Sequence, residues 1–308
     1  MYGFRPDRGC HGAVKELYKR LNFTKICYIV DADIKGFFDH MKHDWIMKFL
    51  NLYIKDPNIL WLVNKYLKAG VMDEGKLVEN GEGSAQGNII SPILANIYMH
   101  NVLTLWYKFV IAKESKGENF LIVYADDFIA GFQYKWEAEK YYKLLKERME
   151  KFGLELEESK SRMLESGGYL AKSKQKRGES TRLETFDFLG FTFYCGRTRK
   201  GTAWMMPKTS SKKFRQKLKD IKVWLYANRD QKLKKLMGML NLKLTGHYRY
   251  YGVSFNGRMI SNFKQQVREM LFKVLNRRSN RKSYTREGFI EMLKYYPLVM
   301  PKIYVSLF

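Results

Sequence analysis

Cysteine is scarce: the 308 residues hold three, Cys10, Cys27 and Cys195, far apart and without a CxxC pair. That spacing excludes a disulfide framework and a cysteine-based zinc site, and it fits a reducing compartment. Proline is also rare, six against 23 glycines, which rules out collagen-like or linker-dominated sequence. No window approaches the ~18 uninterrupted apolar residues of a membrane span. The opening MYGFRPDRGCHG lacks the apolar core of a secretory leader. A cytosolic protein with no membrane partner is therefore expected. Acidic residues are short in one region only. Residues 206–308 hold 24 Lys or Arg but 5 Asp or Glu, whereas the remainder holds 32 against 26. A region so one-sided repels itself unless a polyanion is its usual partner, and the natural polyanions are nucleic acid and anionic membrane.

With 45% hydrophobic and 28% charged residues, the chain can bury a sizeable core and divide into two domains. A short helix over 11–22 is followed by ICYIVDADIKGFFDHM, a β-branched and aromatic strand that runs into Asp31, Asp33 and Asp39. Helices are expected near 43–53 and 56–69, then a hairpin in the turn-rich DEGKLVENGEGSAQGN. ISPILANIYMHNVLTLWYKFVIA predicts a long helix with Pro92 near its start. Tyr141, Leu145, Met149 and Phe152 recur at helical spacing and mark an amphipathic helix packed on a sheet, and FDFLGFTFYC predicts another hairpin strand. This order predicts an α+β sheet with helices on one face. His40 and His43 read as surface residues, and residues 171–182, AKSKQKRGESTR, as a polar, basic loop or insertion. From about residue 206 only helices are expected. Phe214, Leu218, Ile221 and Leu225, then Leu233, Leu236, Leu240 and Leu244, then Phe263, Val267, Met270 and Val274 form apolar stripes between Lys and Arg. A helical bundle with one apolar seam and a basic exterior follows. Lys212, Lys213, Arg215, Arg249, Arg277 and Arg278 are its candidates for nucleic-acid contact.

LIVYADDFIAGF, residues 121–132, sets Asp126 and Asp127 side by side in an otherwise apolar run. A strand points successive side chains to opposite faces, so one of the two would be buried if the segment were a single strand. A buried carboxylate costs several kcal/mol unless a cation or donors meet it. In the alternative, the pair sits at the turn between FLIVY and FIAGF, where Asp is a common residue. Strands ending at Asp31/Asp33 and at Asp126/Asp127 could meet at one point. Clustered carboxylates repel one another, and Mg²⁺ relieves that repulsion while keeping waters for a phosphate to replace. Two such ions can activate a 3′-hydroxyl and stabilise leaving pyrophosphate. Together with a basic helical domain, the chemistry indicated is nucleotidyl transfer on a nucleic-acid primer.

YADD after an apolar strand, DIKGFFDH upstream, AQGNIISPILANIYMH between them, FLGFTF after them and YGFRP at the start resemble a group II intron reverse transcriptase, or maturase. LTGHYRYYGV and LNRRSN are similar to that family's thumb, or X, domain. The resemblance implies a right-hand polymerase palm with partial fingers over 1–205 and an all-α thumb over 206–308. It implies an RNA template, a DNA or RNA primer, dNTPs and structured intron RNA as partners, with two Mg²⁺ ions, or Mn²⁺ in their place. Asp33 and Asp126 match the metal ligands, Asp127 the adjoining catalytic acid, and Ile34 the residue lending a backbone carbonyl to the nucleotide's metal. Phe38 matches the steric gate against a 2′-hydroxyl, although such aromatics are ordinarily core. Gln86 and Gly87 match the loop beside nucleotide and template, and Lys160 a charge partner or general acid for pyrophosphate. Asp31 is either a supporting acid or solvated. Tyr248, Tyr250 and Tyr251 either pack the thumb core or touch nucleic acid. Ala85 stands where the family usually has Pro, and Asp7-Arg8-Gly9 where it has Gly-Arg-Ser. The family's N-terminal extension and first finger blocks would precede YGFRP. Either a separate polypeptide supplies them or the fingers are reduced, and no endonuclease module is expected after the thumb. The rival expectation is an RNA-binding splicing cofactor whose polymerase activity is lost or dispensable.

Overall fold

The computed structural model describes residues 1–68, 71–73, 76–78, 83, 89–278 and 284–308. The chain forms two units, Met1–Leu189 with Cys195–Met205, and Gly190–Tyr194 with Met206–Phe308. In chain order the first unit begins α1 (Cys10–Phe23), β1 (Tyr28–Ala32), α2 (His43–Tyr53), α3 (Pro57–Lys68) and the hairpin β2 (Val71–Asp73) and β3 (Lys76–Val78). The expected long helix is there as a helical rod: α4 (Ser91–Met99) runs through π-helical turns at His100–Thr104 and Tyr107–Ile111 into α5 (Ala112–Glu114). Then follow β4 (Asn119–Tyr124), β5 (Asp127–Phe132), α6 (Lys135–Lys151), β6 (Arg162–Glu165), α7 (Gly168–Lys176) and β7 (Phe186–Phe188).

The central sheet is antiparallel, in the order β4-β5-β1-β6. On one face Val30, Ala32, Phe128, Ala130 and Phe132 join Tyr141, Leu145 and Met149 of α6 and Leu94, Tyr98 and Val102 of the rod in one core. The opposite face is buried as well, since Ile29, Ile122 and Ile129, one step out of phase, are fully or almost fully enclosed. That corrects the expectation of helices on one face. Strand β5 reads FIAGF without polar alternation because both its sides are covered. Gly131 within it has a packing reason: it pairs directly with Phe120 of β4, whose ring lies 2.2 Å from where a Cβ would stand. Residues 171–182, expected as a loop, begin inside helix α7. Gln175 explains this, because its amide brackets a neighbouring turn, donating to Gly201 O (2.8 Å) and accepting from Ala203 N (2.8 Å).

Strands β8 (Phe191–Arg197) and β9 (Ala203–Thr209) are each shared between the units. The second unit continues with α8 (Ser211–Ala227), α9 (Leu233–Tyr251), α10 (Gly257–Leu275) and α11 (Arg286–Tyr295). Its core is the apolar seam: Phe214, Leu218, Ile221 and Leu225, Leu236, Leu240 and Leu244, and Phe263, Val267 and Val274 are all buried. On α10 the seam passes through Leu271, and Met270 is half-buried beside it. Tyr248 and Tyr251 pack inside this core, and His247 stacks on Phe263 at 3.7 Å between ring centroids. Asn256, fully buried, ties Thr209 to the α9–α10 junction through three hydrogen bonds of 2.8–2.9 Å.

Candidate active site

Asp126 lies in the two-residue turn between β4 and β5, and Asp127 opens β5, paired with Tyr124. The turn reading of YADD therefore holds, and both carboxylates project at the tip of a hairpin. Ala125 makes the turn possible by taking φ of 56°, a left-handed conformation that costs a non-glycine residue about 1–2 kcal/mol. The register does the rest. Ala32 of β1 pairs with Phe128 of β5, so Asp33, one residue beyond Ala32, comes beside Asp127, one residue before Phe128. Asp31 is two residues back on the same face, with Arg162 of β6 as its cross-strand partner.

The carboxylates act on one another. Burial pushes Asp127 up to about 7, reinforced by the charges of Asp31, Asp126 and Asp33 and opposed by a hydrogen bond from the Leu189 backbone. Asp31 is pushed up to about 6 by burial, against the pull of the Arg162 guanidinium, whose Nε lies 3.7 Å away. Asp126 is also raised, by burial and then by Asp33. Asp33 is paired with Lys160, Nζ to Oδ2 at 3.0 Å, and both side chains are well exposed at 42% and 64%. The hydrogen bond and charge of Asp33 hold the Lys160 ammonium above its usual value. Among the described residues no three His, Cys, Asp or Glu side chains converge tightly enough to hold a metal ion as they stand. What stands there is a crowd of carboxylates with two cations at its margin, Lys160 on Asp33 and Arg162 on Asp31. A hard cation with oxygen preference suits such a donor set.

The other candidates fall around this end of the sheet or away from it. Ile34 forms an isolated bridge with Leu156 in which Glu157 N donates to Asp33 O (2.8 Å) and Lys35 N to Glu155 O (2.9 Å). The bridge engages the backbone groups on either side of Ile34 and leaves Ile34's own carbonyl outside the ladder. Phe38 is half-buried, edge-on to the buried Phe37 at 5.4 Å, so it is no plain core ring. Gln86 and Gly87 lie outside the described residues. His43 is half-buried rather than a surface residue, its Nε2 2.6 Å from Gly83 O. In the second unit Lys212, Lys213, Arg215, Arg249 and Arg277 are exposed. Arg278 is half-buried and donates to Gln231 O (3.2 Å).

Residues 1–193 match the family model of the reverse transcriptase (RNA-dependent DNA polymerase), and residues 203–290 that of the group II intron maturase-specific domain. The chain belongs to the reverse transcriptase family. Among its relatives is the group II intron-encoded protein LtrA of Lactococcus lactis, 40% identical over 112 residues, 35% of this chain. The matched stretch spans only 18% of that protein. Protein YkfC of Escherichia coli is 34% identical over 102 residues, 32% of this chain and 27% of its own. Among solved structures, apo telomerase from Candida tropicalis is similar over 91% of this chain and 50% of its own, at 16% identity and TM-score 0.47.

Three features of this reverse transcriptase site escaped the sequence. The N-terminal YGFRP braces the YADD hairpin: Tyr2 N donates to Val123 O (2.8 Å), and Asn96 Nδ2 donates to Gly3 O (2.8 Å). A Cβ on Gly3 would stand 2.7 Å from Ala125 N, so only glycine lets the two backbones lie together. Leu189, at the β7–β8 turn, presents its amide to Asp127. Arg162 links Asp31 to that same hairpin by donating to Thr185 O (3.1 Å). The motif order in the sequence was the available signal for the first two, since YGFRP and FLGF each flank YADD without bearing chemistry of their own.

Proposed function

We propose that this chain is an RNA-directed DNA polymerase of the group II intron type, adding dNTPs to a primer on an RNA template, with a second unit that binds structured intron RNA. The observation that carries the reading is the meeting of Asp33 with Asp126 and Asp127 at adjacent strand ends, in a chain of the reverse transcriptase family. Asp33, Asp126, Asp127 and the Ile34 carbonyl would hold two Mg²⁺ ions, with Mn²⁺ as a substitute. Their fit rests on the donor set, carboxylate oxygens brought to adjacent strand ends by the register, which is the ligand type a hard cation prefers. Bound there, the ions supply positive charge to the attacking 3′-hydroxyl and to the leaving pyrophosphate.

The protein's own groups do the positioning. The braced hairpin fixes Asp126 and Asp127, and the Leu189 amide orients the Asp127 carboxylate. Phe38, five residues after Asp33, offers a half-buried ring against which a ribose 2′-hydroxyl would collide. Gln86 and Gly87 are assigned to nucleotide and template by resemblance. Lys160, held at this end of the sheet by Asp33, would be the charge partner for pyrophosphate. Lys212, Lys213, Arg215, Arg249 and Arg277 contact RNA phosphates. The protein acts in the cytosol. Among the described residues no helix is long and apolar enough to cross a membrane.

A second reading, an RNA-binding splicing cofactor without polymerase activity, is favoured by the maturase-specific match over 203–290. Primer extension on an RNA template with Mg²⁺ and dNTPs, with and without any polypeptide encoded just upstream, separates the two. Extension that vanishes in Asp126→Asn supports the polymerase. RNA binding with no extension in any combination supports the cofactor.

A further inference from the structure

A second basic surface lies in the first unit, at the end of the sheet remote from the carboxylates. Strand β1 runs from Tyr28 to Ala32, and β6 pairs antiparallel with it so that Glu165 faces Tyr28. Helix α7 leaves the sheet there, as does the end of α1, and the two lie so close that a Cβ on Gly168 would stand 2.8 Å from Leu21 O. Five residues at ~3.3 Å each separate that end from Asp33 by about 16 Å.

The surface is continuous through named contacts. Phe23, 66% exposed, meets Trp204 edge-on at 5.6 Å. Lys172 Nζ lies 4.2 Å from the Trp204 ring centroid and donates to Asn22 O (3.2 Å). Trp204 is held in turn by donating to Tyr18 Oη (2.9 Å). Lys176 follows Lys172 by four residues, on the same face of α7. Gln175, between them, docks the β8–β9 turn by its two hydrogen bonds and brings Arg197, Arg199 and Lys200 alongside. Residues 168–205 hold eight Lys or Arg and three Asp or Glu. Two of those cations are already paired, Lys174 with Glu165 and Arg177 with Glu179. Lys176, Arg197, Arg199 and Lys200 are exposed and make no ion pair among the described residues. A solvated face would intersperse acids with such cations. Here a glutamine clamp instead gathers unpaired charges beside an exposed ring.

We infer that this face, built from Phe23, Lys172 and Lys176 and the Arg197–Lys200 turn, is a second RNA-binding surface, with the cations on backbone phosphates and Phe23 stacked on an unpaired base. The inference extends the RNA-binding reading above to a site outside the polymerase end of the sheet. Unpaired cations with an adjacent aromatic are the combination that single-stranded nucleic acid rewards, through counterion release and stacking.

The test is a triple variant, Lys176→Gln with Arg199→Gln and Lys200→Gln, and separately Phe23→Ala, all at exposed positions, with circular dichroism and melting checked against wild type. The probe is a labelled RNA hairpin with an unpaired tail, titrated with full-length protein over a range of salt. The triple variant should flatten the plot of log affinity against log salt by about 2–3, because each lost phosphate contact removes about 0.7–0.9. Phe23→Ala should weaken the tailed hairpin about tenfold and leave a blunt hairpin unchanged. RNA should also protect Lys176 and Lys200 of the wild type from acylation. Extension of a primer on an unstructured template should be unaltered in the triple variant, and a fall in step with the salt slope would overturn the inference by putting the patch in the polymerase cleft. An unchanged slope with unprotected lysines would also overturn it, as would loss of binding confined to phosphatidylserine vesicles. Absence of extension in the wild type bears only on the polymerase reading, since the slope and protection are read without catalysis.

Discussion

Replacing Asp127 by Asn removes one charge from the carboxylate crowd and keeps the side chain's size. An amide oxygen can still accept from the Leu189 backbone, so the local geometry has no reason to change. Raising this acid from its ordinary 3.8 to about 7 corresponds to about 4 kcal/mol between its protonated and ionised forms. The folded protein keeps that proton up to about pH 7, whereas the unfolded chain releases it near 3.8. Stability from this group is thus fully present below about pH 4 and is lost as pH rises through 7. The variant escapes that loss. In EDTA, Asp127→Asn should be about 2–4 kcal/mol more stable than wild type at pH 8, the lower bound allowing for water entering the site, and no more stable at pH 4. Urea denaturation of both proteins at a series of pH values measures the difference. Adding Mg²⁺ should narrow the gap at pH 8 by stabilising the wild type through mass action. A gap that does not vary with pH, or a variant less stable than wild type at pH 8 without metal, would refute the account of Asp127 as a buried, repelled carboxylate.

Asp126→Asn should lower primer extension by orders of magnitude while RNA affinity, measured by filter binding, is kept; wild-type rates in that variant would remove Asp126 from the metal ligands. Phe38→Val should raise ribonucleotide use relative to deoxyribonucleotide use at least tenfold, about 1.4 kcal/mol at the transition state, read as a ratio of kcat/KM values. Gly3→Ala drives a methyl to 2.7 Å from Ala125 N and should shift the hairpin, cutting extension at least tenfold and raising the Mg²⁺ concentration needed for half-maximal rate. Normal melting, rate and Mg²⁺ requirement in the Gly3→Ala protein would show that the brace has no bearing on the site.

Much of the fold was legible because it is written in local periodicity. The α6 stripe, the seam of α8 to α10, the break between the strands of LIVYADDFIAGF and the bounds of α2 all follow from spacing within one element. The π-helical turns in the rod after Met99 carry no sequence signal, and the helix begun at Gly168 was hidden by a polar composition that only Gln175's partners explain. Arg278 and Arg277 are alike in sequence, and only the fold half-buries Arg278 and gives it Gln231 O as an acceptor.

The same division runs through the candidate site. Sequence by itself determined that two strands end in aspartates, that the chain's last third is basic, and that its blocks stand in the order of the reverse transcriptase family. Only the tertiary structure decided which carboxylates meet. Lys160 reaches Asp33 across 127 residues, and Asn96 holds Gly3 across 93. Alternation in a strand tells which face a side chain occupies, but it leaves the register free by steps of two, and each step would oppose a different pair of residues. The pairing of Ala32 with Phe128 is selected by the packing of the whole core on both faces of the sheet. That one choice brings Asp33 beside Asp127, and so gives Asp127 its raised proton affinity.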